Sequence, residues 1–102
     1  MRRVFWTEKA LSHLDAIHKY ISQNSPRYAR RIVEKLLKRS EQIVFFPNSG
    51  RVVPEYEQPD IREVLESSYR LIYLVGEEQM DVLAVIHAKQ QLDLNEGMSE
   101  SD

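Results

Sequence analysis

Cysteine is absent from the 102 residues. That excludes disulfides, thiolate metal sites and a cysteine nucleophile, and it fits a cytoplasmic chain. Long apolar runs are missing too. None approaches the ~18 residues that a membrane-spanning helix needs, so no membrane anchor is expected. A secretory leader is not expected either, because Met1-Arg2-Arg3 passes only through Val4-Phe5-Trp6 before charge returns at Glu8 and Lys9. There is no internal repeat and no low-complexity block. Positive charge is scarce in one half: residues 52–102 hold three Lys/Arg against twelve Asp/Glu, a balance of −9. Residues 1–51 hold eleven against four, a balance of +7, and the two halves give the net charge of −2. The chain is not a bulk polycation, which weakens any reading built on non-specific nucleic-acid affinity.

What is present is enough for one core. Hydrophobic residues make up 42% and aromatics 9%, which excludes general disorder. The length suits a single domain. Residues 2–6 read as an opening strand, rich in β-branched and aromatic side chains. Thr7 can cap the helix that follows, with Glu8 in its first turn. Ala10/Leu11, Leu14, Ile17 and Tyr20/Ile21 then recur at helical spacing. Gln23-Asn24-Ser25-Pro26 breaks that pattern and offers Ser25 as a second cap with Pro26 at the first helical position. The second helix has Ala29, Ile32/Val33, Leu36/Leu37 and Ile43/Val44 on one face. Arg27, Arg30, Arg31, Lys35, Lys38 and Arg39 lie on the other. A short polar link between two such helices predicts an antiparallel hairpin.

From Phe46-Pro47-Asn48-Ser49-Gly50 the character changes. Pro54 and Pro59 predict an irregular stretch over 51–60, followed by strands at 61–66, 69–75 and 80–87. Ser67-Ser68 and Glu77-Glu78 serve as two-residue hairpin turns. The predicted fold is α+β with the order β-α-α-β-β-β: an N-terminal helical hairpin on one face of a mainly antiparallel sheet. Residues 1–92 form the single domain, and the acidic, core-poor residues 93–102 form a tail.

Two-residue turns fix a register. On it Val64, Leu71, Tyr73, Val75, Met80, Val82, Ala84 and Ile86 share a face toward the helices. Glu63, Leu65, Arg70, Ile72, Leu74, Leu83, Val85 and His87 share the less buried face. Arg70 then lies opposite Leu65 and Val85, with Glu63 and His87 as diagonal neighbours. Such a cluster is either a cross-strand ion pair that covers the sheet, or an anion site in which a guanidinium grips phosphate and His or Glu moves a proton. His87 on its own fits a strand-end histidine bonded to backbone. His13 and His18, five apart on a helix, do not share a face, so no metal site is expected. The basic face of the second helix is either solvated surface or an electrostatic docking strip.

Trp6-Thr7 before an amphipathic helix, Asn24-Ser25-Pro26, Phe46-Pro47-Asn48-Ser49-Gly50-Arg51, Ile61-Arg62-Glu63-Val64, Tyr69-Arg70-Leu71-Ile72-Tyr73 and Val85-Ile86-His87 occur in this order and spacing. Together, over residues 3–92, they resemble the RelE/ParE superfamily of type II toxin–antitoxin toxins. The resemblance implies the same β-α-α-β-β-β fold. It also implies a cytoplasmic, cofactor-free growth inhibitor serving plasmid or chromosomal stabilisation, held inactive in a hetero-oligomer with a cognate antitoxin. RelE-like members cut mRNA in the ribosomal A site without metal. ParE-like members poison DNA gyrase.

Arg70 falls on the arginine with which RelE-type nucleases hold phosphate. Where those nucleases place lysines, this chain has Ile61 and Glu63, with Arg62 between them. Its closing segment, His87-Ala88-Lys89-Gln90-Gln91-Leu92-Asp93, is more similar to that of ParE-type toxins, although Lys89 stands where arginine is common. A factor working inside ribosomal RNA gains from positive charge, and the strand half is acidic. The expectation is therefore a ParE-like gyrase inhibitor acting by binding. The alternative is a ribosome-dependent endoribonuclease with Arg70 as phosphate clamp and His87, Glu63 or Glu55 as acid/base. Arg62, Arg70 and Lys89 are the candidate contacts to phosphate or target, and the basic strip from Arg27 to Arg39 the candidate docking surface for antitoxin or target.

Overall fold

Two side-chain caps start the helical half. In the computed structural model, which describes residues 2–90, Thr7 Oγ1 accepts from the Ala10 N–H at 3.1 Å. The same hydroxyl donates to Val82 O at 2.8 Å and ties the helix start to the sheet. Helix α1 runs Glu8–Ser22. Ser25 Oγ accepts from the Tyr28 N–H at 3.1 Å, Pro26 takes the first turn, and α2 runs Pro26–Ile43. Strands β1 (Arg3–Trp6), β3 (Ile61–Glu66) and β4 (Tyr69–Val75) occupy the expected positions, and β5 (Gln79–His87) begins one residue early. The stretch expected to be irregular holds a short strand at its start: a 3-10 turn, Pro47–Ser49, leads into β2 (Arg51–Val52). The acidic tail expected at 93–102 and the end of the closing segment lie outside the described residues.

The sheet order is β1-β5-β4-β3-β2, with β1 parallel to β5 and the other neighbours antiparallel. The fold is therefore α+β, as expected. Ala10, Leu14, Ile32 and Leu36 of the helices pack on Leu71, Tyr73, Met80 and Val82 of the sheet. Large aliphatic side chains buried there, such as Leu36, Leu71 and Met80, contribute about 1.5–3 kcal/mol each. Trp6 Nε1 donates to the buried Ser40 Oγ at 3.1 Å, which joins β1 to α2. The Tyr73 hydroxyl donates to Pro47 O at 2.8 Å and accepts from the Gly50 N–H at 3.2 Å, anchoring the turn before β2. Burial pushes the Tyr73 pKa up, because the ionised phenolate would lose its hydration. Gly50 is required by space: a Cβ there would lie 2.5 Å from both Glu63 O and Tyr73 Oη.

Both hairpin turns fall where expected, since Glu66 pairs with Tyr69 and the Gly76 N–H donates to Gln79 O at 3.0 Å. The register of the second hairpin then departs from expectation. Tyr73 pairs with Val82, yet Ile72 pairs with Ala84, so Leu83 is an extra residue. This bulge turns every later side chain of β5 to the opposite face. Val85, expected on the far face, is buried in the helix-side core, while Ala84 and Ile86 join Val53, Ile61 and Ile72 on the other side. The Val85 N–H donates to His13 Nδ1 at 3.2 Å, so a helix side chain satisfies a bulge amide. The far face is also not the open one. Val53 and Tyr56, from the segment after β2, pack over Ile61, Ile72, Ala84 and Ile86 as a second apolar layer.

Candidate functional site

Arg70 sits mid-sheet on the far face, under the segment that follows β2, and only 7% of its side chain is exposed. Its three nitrogens all have acceptors. Nε donates to Glu63 Oε1 at 2.6 Å. Nη2 donates to Glu55 Oε1 at 2.9 Å and Nη1 to Glu55 Oε2 at 3.2 Å, a two-pronged grip. Nη1 also donates to the Gln90 carbonyl at 3.0 Å. Glu63 Oε2 accepts from the Arg51 guanidinium, so the cluster holds two cations and two carboxylates. The bond to Glu55 is the main reason the Arg70 pKa is raised above its ordinary value, so the guanidinium stays charged at any working pH. The recess above it is lined by Arg51, Pro54, Glu55, Arg70 and Ala88.

This arrangement brings together three of the candidate catalytic residues, Arg70, Glu63 and Glu55. It does not bring in the fourth. The bulge at Leu83 pairs Arg70 with Ile86 in place of Val85 and swings His87 to the helix-side face. There the His87 ring meets Tyr69 edge-on, with centroids 5.8 Å apart, and its Nδ1 accepts from the Lys89 N–H at 3.1 Å. His87 is therefore a strand-end histidine bonded to backbone, and its expected position beside Arg70 is corrected.

The candidate target contacts are dispersed as well. Arg62 pairs with Tyr73 and so belongs to the helix side; its Nη1 donates to Gly50 O at 2.8 Å. Lys89 is exposed beyond the end of β5. Of the basic strip, Arg27, Arg30, Arg31, Lys35 and Lys38 are exposed, and Arg39 is half-buried. Sequence reasoning misses two participants. One is Arg51, since a two-residue edge strand leaves no periodic pattern. The other is Gln90, because it acts through its backbone. Among the described residues no group of three or more His, Cys, Asp or Glu could hold a metal ion. No helix among them is long and apolar enough to cross a membrane.

What the site can do follows from its donors. The guanidinium is saturated by two carboxylates and a carbonyl, so an incoming phosphate would have to displace Glu55 or Glu63. The paired charges cancel, so the recess presents no concentrated positive field.

Comparison with known proteins adds three findings. Residues 4–92 match the family model described as the ParE toxin of the type II toxin–antitoxin system parDE. The chain is 32% identical over 89 residues to Toxin RelE2 of Caulobacter vibrioides, covering 86% of this chain and 97% of that protein. It is also similar in fold to a structure of the chromosomal ParDE TA system from P. aeruginosa. That match has a TM-score of 0.71 and 23% identity, over 87% of this chain and 98% of the other.

Proposed function

Since the chain belongs to the ParE toxin family of type II toxin–antitoxin systems, we propose that it inhibits DNA gyrase by binding and is neutralised by a cognate antitoxin. The observation that carries this reading is the closed state of Arg70. The one residue placed to clamp a phosphate is 7% exposed and already engaged by Glu55 and Glu63. His87, the best proton-transfer group in the sequence, stands on the opposite face. An association-driven toxin needs neither group free.

The alternative, a ribosome-dependent endoribonuclease, keeps one point in its favour. Arg70, Glu55 and Glu63 do converge at one recess, and opening the segment over them would expose a cation beside two carboxylates. The exposed basic face of α2 supplies the docking surface for the antitoxin, with a toxin–antitoxin hetero-oligomer as the resting form. The purified protein is added in parallel to a gyrase supercoiling assay and to a translating extract. Supercoiling should be blocked while the mRNA stays intact. Cleavage of mRNA within the ribosomal A site, with supercoiling unaffected, would overturn the proposal in favour of the nuclease.

A further inference from the structure

Strand β2 covers only part of its neighbour. It pairs with Glu63 and Arg62, so among the described residues the outer edge of β3 from Val64 to Glu66 has no partner strand. An open groove of about 470 Å³ runs along this edge, between Arg39 of α2 and Arg51, with Leu65 on its rim. It shares Arg39 and Ser49 with a second recess at the end of α2 that is walled by Phe45 and Phe46. The apolar groups here are open to solvent: Leu65 is 62% exposed, Phe45 66% and Phe46 71%. Arg39 carries a buried Nε with no hydrogen-bond acceptor among the described residues, and Glu66 Oε1 stands off at 4.0 Å. The groove is lined by Arg39, Arg51 and Glu63, with Glu66 beside Arg39; its two guanidiniums, apolar wall and unpaired strand edge suit an extended segment that carries both carboxylates and apolar anchors.

This chain carries such a segment. The Gln90 carbonyl accepts from Arg70, and Arg70 is paired directly with Leu65. Residue 90 therefore lies over the far face of the sheet at β4, and the groove, which reaches Arg39 of α2 and Val64 of the helix-side core, lies around the outer edge of β3. Residues 91–102 contain Asp93, Glu96, Glu100 and Asp102 but no Lys or Arg, and Leu92, Leu94 and Met98 among them. Leu92-Asp93-Leu94 alternates apolar and acidic, the period of a strand with one apolar side. At about 3.3 Å per extended residue, these residues reach roughly 40 Å. Crossing β4 and β3 and turning the open edge to the helix side takes about 20 Å, two strand spacings and one layer spacing.

We propose that the acidic segment 91–102 docks in cis in this groove, its carboxylates on Arg39 and Arg51 and its apolar side chains over Leu65, Phe45 and Phe46. The groove is then occupied by the protein's own chain, and any external ligand of this edge must displace it. Such docking is independent of whether gyrase is the target.

The absence of cysteine makes the test clean, because Met98→Cys can carry a nitroxide spin label on the otherwise unmodified full chain. With ¹⁵N-labelled protein, the amide signals of Arg39, Leu65 and Phe46 should lose most of their intensity, equally at low and high protein concentration. The loss should fade in high salt. Asp93→Lys with Glu96→Lys on the same labelled chain should restore those signals. Broadening confined to other surfaces, or unchanged by the charge reversal, would overturn the proposal. So would broadening that appears when spin-labelled ¹⁴N protein is mixed with unlabelled ¹⁵N protein, since that identifies a second copy as the occupant.

Discussion

Replacing Arg70 with methionine tests whether this residue is a structural keystone. Methionine fills a similar path through the sheet but supplies no donor. Glu63, with 2% of its side chain exposed, and Glu55, with 13%, then lose the guanidinium they share. Glu63 keeps Arg51, but that partner is 69% exposed and shielded by solvent. Removing one member of a buried ionic cluster costs about 3–5 kcal/mol, because the remaining charge stays desolvated. The retained Arg51 contact places this case near the lower end, at about 3 kcal/mol. With a urea slope of about 1 kcal/mol per molar for a small domain, the unfolding midpoint should fall by about 3 M. Such a loss is a large share of the roughly 5–15 kcal/mol that holds a domain together.

A companion variant carrying Arg70→Met, Glu63→Leu and Glu55→Gln should recover most of that loss, since a buried ionic cluster replaced whole by neutral groups is often close to neutral in stability. Chemical denaturation followed by far-UV circular dichroism reads both. If Arg70→Met unfolds within about 0.5 kcal/mol of the parent, the ordinary effect of a surface change, the structural role assigned to Arg70 is wrong. A triple variant no more stable than the single one would refute that role equally.

Three other outcomes are expected. Gly50→Ala forces β2 away from β3, because the new methyl meets Glu63 O and the Tyr73 hydroxyl; a loss of about 1–3 kcal/mol in urea unfolding is expected, and wild-type stability would contradict the close approach. His13→Ala leaves the Val85 N–H without its acceptor, so this amide should exchange with solvent faster and stability should drop by about 1–3 kcal/mol, whereas unchanged exchange would mean that His13 does not hold the bulge. Tyr73 has a pKa raised above the ordinary 10.0, so its contribution is fully present below that pH and is lost as pH rises through the folded-state value. Alkaline unfolding should therefore be less steep in Tyr73→Phe, and an identical pH profile would rule out the buried phenol as its source.

The helix caps were legible because Thr7, Ser25 and Pro26 do chemistry that depends on neighbours two or three residues away. Strands β3 and β4 were equally legible, since turn residues bracket them and Glu63 and Arg70 mark one face. The bulge was not. Leu83-Ala84-Val85-Ile86 is apolar on both sides, so an inserted residue leaves the apolar pattern unbroken. That single residue misplaced His87 and with it a quarter of the catalytic set. The cover over Arg70 was hidden for another reason. Pro54 and Pro59 announce irregular chain, but whether irregular chain folds back over a sheet depends on Val53 and Tyr56 finding Ile72 and Ile86, a contact between distant parts of the sequence.

The position of β5 also sets when this protein can exist as a folded object. It is the partner of both β1 and β4, and Arg3 waits for Gln79 to complete the first of those pairings. Until residue 82 has left the ribosome β1 lacks its full neighbour, and until residue 87 has followed, the helical hairpin lies over an unfinished sheet. Contacts this far apart in sequence form late and slowly. A partly synthesised chain therefore has neither the covered Arg70 cluster nor the completed helix-side core, and whatever restrains the toxin need only meet it once translation has passed β5.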